Sequence, residues 1–219
     1  VFLNKINFVE SKNFIKIKNI NLNSNRKLKR IDQVDVNLVN NNDQVSQLNI
    51  KRKKSNYSIN SKIFDGAKIL DRILFSKSDG NFFDVFEKLN SKITINFNTI
   101  YITNEDYLTN FKADMTVNNN QIQDFILSSQ FSTKEDLKLS IKTNLNNEKI
   151  TDLFAGNAKP LVKKYDFIKG FEGGYLKFDS IEKNKVSNSN LKIFDFKLKE
   201  VPALTKLLTL ASLQGIADL

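Results

Sequence analysis

Histidine, cysteine and tryptophan are absent from the 219 residues, and methionine occurs once. Without cysteine there is no disulfide framework, no thiolate metal site and no Cys nucleophile. Without histidine there is no imidazole ligand and no imidazole general base. Glycine at 7 and proline at 2 leave few backbone specialists. No segment reaches the roughly 20 consecutive apolar residues of a membrane-spanning helix, and no signal peptide is visible. The first residue is Val1, and the chain ends just after an apolar run, which reads as a fragment of a longer protein.

What is present is basic, amide-rich and aromatic. Lysine and arginine total 34 against 24 acids, a net charge of +10. Only Arg26, Arg30, Arg52 and Arg72 are arginines, leaving 30 lysines. The 30 asparagines and 18 phenylalanines complete a composition that an AT-rich coding bias would produce. The excess charge therefore has a genomic as well as a functional explanation.

Alternation with a period of two dominates the chain. Ile15 and Ile17 alternate with Lys16 and Lys18; Val34, Val36 and Leu38 alternate with Asp35 and Asn37. Ile93, Ile95 and Phe97, then Phe111, Ala113, Met115 and Val117, follow the same rule. So do Leu137, Leu139 and Ile141, and later Phe194, Phe196 and Leu198. Each run predicts a strand with one apolar and one polar face. Asn40–Asn42, Asn118–Asn120 and Asn146–Asn147 predict hairpin turns, because Asn tolerates left-handed backbone. An early strand set over about 1–60 and a four-strand meander over about 92–145 result.

Three short helices are expected, over about 65–75 with Asp65 as N-cap, 157–165 with Asn157 as cap, and 202–213 beginning at Pro202. Phe82–Leu89 reads as a further turn or two of helix. Gly170, Gly173 and Gly174 read as a helix-to-strand turn. The fold class is mainly β with a few short helices: an extended, curved antiparallel sheet with an open groove.

Chemistry finds little support. Asp32 with Asp35 and Glu135 with Asp136 lie beside lysines and read as solvated faces rather than paired acids. Ser61-Lys62 and Ser76-Lys77 are adjacent, and neighbours in a strand face opposite ways. Asn104-Glu105-Asp106 lacks calcium-loop spacing and reads as a turn. Lys51-Arg52-Lys53-Lys54, with Tyr57 behind it, is the densest basic cluster and the basis of a nucleic-acid alternative. The phenylalanines fit either a closed sandwich core or an open apolar face that receives acyl chains.

Tyr165-Asp166-Phe167-Ile168-Lys169-Gly170-Phe171-Glu172-Gly173-Gly174-Tyr175-Leu176 is similar to the short helix, Gly-Gly and strand near the C-terminus of AsmA-like proteins. The strand Asn190–Leu198 and the helix Val201–Gly215, with its Pro202-Ala203-Leu204 start and Leu-rich body, resemble the same region. The specific likeness covers about 150–219 and a looser one about 60–219. Lys, Asn and Phe stand where relatives often have Arg, Gly and Leu.

The resemblance divides the chain into a β-rich segment, 1–60, continuing an upstream sheet, and an AsmA-like C-terminal-type segment, 61–219. It implies a Gram-negative envelope protein in the periplasm, held in the inner membrane by an anchor outside this sequence. Its β-groove would shield phospholipid acyl chains during transport to the outer membrane and support envelope integrity. It implies no enzyme activity, cofactor, metal or nucleic-acid partner. The expected groove face is Ile93, Ile95, Phe97, Phe111, Met115, Leu137, Leu139 and Ile141. A structural or adhesive β-sandwich module without ligand is the alternative, and a basic nucleic-acid binder the third reading.

Overall fold

A computed structural model describes residues 1–39, 45–67, 83–103, 105–164, 170–184 and 186–199. Outside them lie the residues of the expected Asn40–Asn42 turn, of the expected 65–75 helix past Ala67, of the Ser76-Lys77 pair, of Tyr165–Lys169 and of the expected 202–213 helix. The described chain is mainly β. Its strands are β1 (Phe2–Glu10), β2 (Asn13–Leu22), β3 (Leu28–Val39), β4 (Val45–Lys53), β5 (Asn56–Asp65) and β6 (Ser91–Tyr101). They continue as β7 (Tyr107–Asn118), β8 (Gln121–Phe131), β9 (Asp136–Thr143), β10 (Lys149–Ala155), β11 (Phe171–Lys183) and β12 (Val186–Leu198). The one helix among the described residues is α1 (Lys159–Lys164), with the Asn157 Oδ1 accepting from the Lys159 amide at 3.1 Å. That is the cap the sequence predicted, and Val162 beneath it is fully buried.

The chain forms two compact units, Val1–Phe125 and Ile126–Leu219. Residue 60, the boundary expected between the two sequence segments, lies within β5. In the first unit β1 to β7 pair in chain order. Every pair is antiparallel except β5–β6, which is parallel. The sheet of this unit is antiparallel but for that one pair, whose parallel register requires the chain to return between Asp65 and Ser91 to the end where β5 began. In the second unit β9 to β12 pair in order and all antiparallel.

Asparagine supplies the predicted turns. Asn119 and Asn120 both have positive φ, 50° and 65°, between β7 and β8. Asn147 does the same between β9 and β10, where Asn144 Oδ1 accepts from the Asn146 and Glu148 amides. The same geometry also occurs inside strands, where it was not anticipated. Asn110, at φ 52°, breaks the alternation of β7: buried positions are Ala113 and Val117 on one side of it and Leu108 on the other. Its partner strand β6 changes in step, from Ile93 and Phe97 to Ile100. Asn19, at φ 53°, shifts β2 likewise, with Ile20 buried beyond it. A left-handed residue interrupts the pleat and bends the strand.

Gly173 and Gly174 correct another expectation. They lie within β11, at φ 68° and 76°, not in a turn before it. A Cβ on Gly174 would stand 2.7 Å from the Phe194 carbonyl oxygen, so the close approach of β12 admits only glycine.

Candidate functional site

The strand register converts the alternating sequence into straight rows. In the first unit Ile6, Ile17, Val34, Ile50, Ile59, Ile95 and Ala113 are successive partners across seven strands, every one aliphatic. One residue along each strand, on the opposite face, stand Asn7, Lys16, Asp35, Asn49, Asn60, Asn96 and Lys112, every one polar. A second apolar row begins Phe8–Ile15–Val36–Leu48, and Ser61–Phe97–Phe111 pair at its level in β5 to β7. Phe97 sits between aromatic neighbours, 5.1 Å from Phe64 and 5.6 Å from Phe111.

Five of the expected groove residues, Ile93, Ile95, Phe97, Phe111 and Met115, therefore share this face, Ile93 opposite Met115 and Phe97 opposite Phe111. Ile93 and Phe97 are buried, and Ile95, Phe111 and Met115 half-buried. The other three, Leu137, Leu139 and Ile141, share a face of the second unit. There the rows are Leu137–Ala155–Leu176–Ile193, Leu139–Leu153–Phe178–Leu191 and Ile141–Thr151–Ser180–Ser189. The third row turns polar, and the Ser180 and Ser189 hydroxyls are 2.8 Å apart.

Sequence reasoning missed what covers the first unit's face at one end. Phe83–Leu89, expected as helix, is instead a turn and an extended strap. The Leu28 amide donates to the Val85 carbonyl and the Glu87 amide to the Leu28 carbonyl. At its far end the Leu89 amide donates to Asn120 Oδ1 at 2.6 Å, and Asn120 Nδ2 donates to the Phe86 carbonyl at 3.1 Å. Phe83 and Leu89 thereby close over Tyr57, Ile93 and Val117, with Phe86 packed beside them. Helix formation would withdraw the backbone groups that bond Leu28, so the sheet end outcompetes the helix. Burial under the strap raises the Tyr57 phenol pKa, against the lowering effect of a hydrogen bond with the Ile31 backbone and of the Arg52 charge. The apolar content of Phe82–Leu89 was the available signal, but it did not reveal which surface it covers.

The candidate chemical groups are engaged structurally. Asp32 pairs with Arg30 at 2.9 Å and with Arg52 at 3.6 Å, while Asp35 accepts from Gln33 and Asn49. The basic cluster thus loses one of its members, Arg52, to an internal ion pair. Ser61 is buried and its hydroxyl donates to the Gln47 carbonyl. Asp106 is held in a turn by Thr103, whose hydroxyl donates to its carboxylate at 3.0 Å and accepts from its amide at 2.8 Å. Asp136, Glu148 and Glu172 have pKa values below the ordinary carboxylate range because Lys138, Lys183 and Lys199 respectively donate to them. Among the described residues no cluster of three acids is placed to hold a metal ion, and no helix is long and apolar enough to cross a membrane.

No protein-family model matches the sequence, and neither a curated protein nor a solved structure matches it.

Proposed function

We propose that the aliphatic sheet faces seat lipid acyl chains, and that the chain is part of an AsmA-like protein of the Gram-negative periplasm that carries phospholipid between membranes. The observation that carries this reading is the seven-strand row from Ile6 to Ala113. Its six inter-strand steps of about 4.8 Å give an unbroken aliphatic line of roughly 29 Å, longer than a common acyl chain stretched out. Burying such a chain gains about 0.8 kcal/mol per methylene. No ionisable side chain interrupts the row, so a chain lying along it desolvates no charge.

The strap favours a second reading, a ligand-free structural module, because Phe83 and Leu89 already cover part of the face. A sandwich would need a second sheet over the rest. The described strands of the first unit all pair in one sheet, which leaves the Ile95 and Phe111 region half-buried. A nucleic-acid surface has less support, since pairing with Asp32 partly neutralises the basic cluster and alternation along β4 divides its members between two faces.

Solvent extraction of the purified chain followed by mass spectrometry tests the proposal. Phospholipid in stoichiometric amount, displaced when Ile95 is replaced by aspartate, is the expected result. A lipid-free protein that also fails to take up phospholipid from vesicles would remove the conduit reading.

A further inference from the structure

The face opposite the aliphatic row holds a depression of about 450 Å³, bounded by β2 to β6. Its lining is dominated by amides. One half is fixed by internal hydrogen bonds: Asn49 Nδ2 donates to Asp35, Gln47 Nε2 donates to Asn37 Oδ1 at 3.1 Å, and Asn37 Nδ2 donates to the Lys12 carbonyl at 2.9 Å. The other half, Asn60, Asn96 and Asn98, is exposed and makes no side-chain hydrogen bond with the described residues. Phe14 lies at one end, with the Lys16 ammonium 4.3 Å from its ring centre.

We infer that this amide-lined depression binds a neutral glycan. It does not depend on the lipid reading, because the two faces of the sheet are separate. An amide offers donors and an acceptor on one planar group, the complement of a sugar hydroxyl, which also does both. The charged side chains in and beside the lining are of both signs, the Asp35 carboxylate with the Lys62 and Lys16 ammonium groups, so there is no single-sign field to select a phosphate or a cation. The immobilised half gives fixed hydrogen-bonding positions, and the open half supplies groups whose bonds are made only to the ligand. The amide row Asn49–Asn60–Asn96 crosses strands about 4.8 Å apart, close to the length of one pyranose ring, so successive sugars would meet successive strands.

Cellohexaose, bearing hydroxyls alone, and chitohexaose, bearing acetamido groups as well, are the probes, with heparin hexasaccharide as the polyanion control. Side-chain amide signals of Asn60, Asn96 and Asn98 are followed by NMR on the whole chain. The expected result is a saturable shift of these signals with at least one neutral hexasaccharide at millimolar concentration. Asn96→Ala should then weaken binding about fivefold, the loss of one net hydrogen bond of about 1 kcal/mol. Thr94→Ala, on the same strand outside the depression, should leave it unchanged. Absence of a saturable shift with both neutral sugars, a response to heparin alone, or equal binding by Asn96→Ala and the unaltered chain would overturn the inference.

Discussion

The two units bury an apolar sheet face by different means. In the first, the face is aliphatic or aromatic in both central rows apart from Ser61, and one end is closed by a strap of Phe83, Phe86 and Leu89. In the second, the face changes along the strands, from Leu137–Ala155–Leu176–Ile193 to a row containing Thr151, Ser180 and Ser189. Its helix α1 lies next to β11, with Ala158 and Val162 fully buried and the Ala158 amide donating to the Gly174 carbonyl. A strap needs anchors at both ends, here Leu28 and Asn120. A helix satisfies its own backbone and needs only one apolar stripe. The same alternating sequence pattern is therefore compatible with two kinds of closure, and the closing segment decides how much apolar surface stays available.

The contrast can be broken most severely at Phe97. Truncation of this buried ring, stacked on Phe111 and tilted against Phe64, by Phe97→Ala should cost about 3–5 kcal/mol, read from urea unfolding. Leu139→Ala, on the half-buried face of the second unit, should cost about half of that. Equal losses would mean that the two faces are covered alike.

The next test lies at the paired glycines of β11, Gly173 and Gly174. Gly174→Ala must place a left-handed alanine against the Phe194 carbonyl and should cost about 2–3 kcal/mol. At Gly173 the nearest atom to an added Cβ is 3.7 Å away, and alanine there should cost only about 1 kcal/mol. A reversed order in thermal unfolding would contradict the close approach of β12 at Gly174.

Asn120→Gly keeps the left-handed backbone but removes both side-chain bonds that hold the strap. A stability loss of about 1–2 kcal/mol should follow. Because burial is the largest cause of the raised Tyr57 pKa, loosening the strap should also lower that pKa toward the ordinary phenol value. Ultraviolet titration reads the change. An unmoved phenol would show that the strap stays seated without Asn120.

The smallest effect belongs to the surface of the second unit. Asp136 is depressed chiefly by the hydrogen bond from Lys138, so Lys138→Ala should return it to the ordinary carboxylate range. A carboxylate with a lowered folded pKa stabilises above its unfolded pKa, and that contribution fades as pH falls through the folded value. For this fully exposed pair the titration, followed by NMR, is the expected signal, with little change in unfolding midpoint.

Much of this was legible in the residues. Ile93-Thr94-Ile95-Asn96-Phe97 can be satisfied only by a strand with two unlike faces, and the Asn118–Asn120 and Asn146–Asn147 turns follow from asparagine's tolerance of positive φ. What was not legible is whatever depends on neighbours. Asn19 and Asn110 are polar positions like any other until their left-handed backbone bends a strand. Alternation gives no sign that β5 and β6 run parallel, because a parallel partner presents the same faces. Phe83, Phe86 and Leu89 have helix-like spacing, and the backbone of Leu28 with the side chain of Asn120 draws them out as a strap. The eight expected groove residues were chosen by periodicity, which marks Val34 as apolar too, but that Val34, Ile50, Ile59 and Ile95 form one row emerges only from register.

On the proposed function, the aliphatic row contacts acyl chains and its polar neighbour does not. A photo-crosslinking amino acid placed at Ile95 or, in separate chains, at Asn96 tests it in the presence of phospholipid vesicles. The account predicts a lipid adduct from position 95 and none from position 96. Adducts of equal yield at both positions, or none at either, would contradict it.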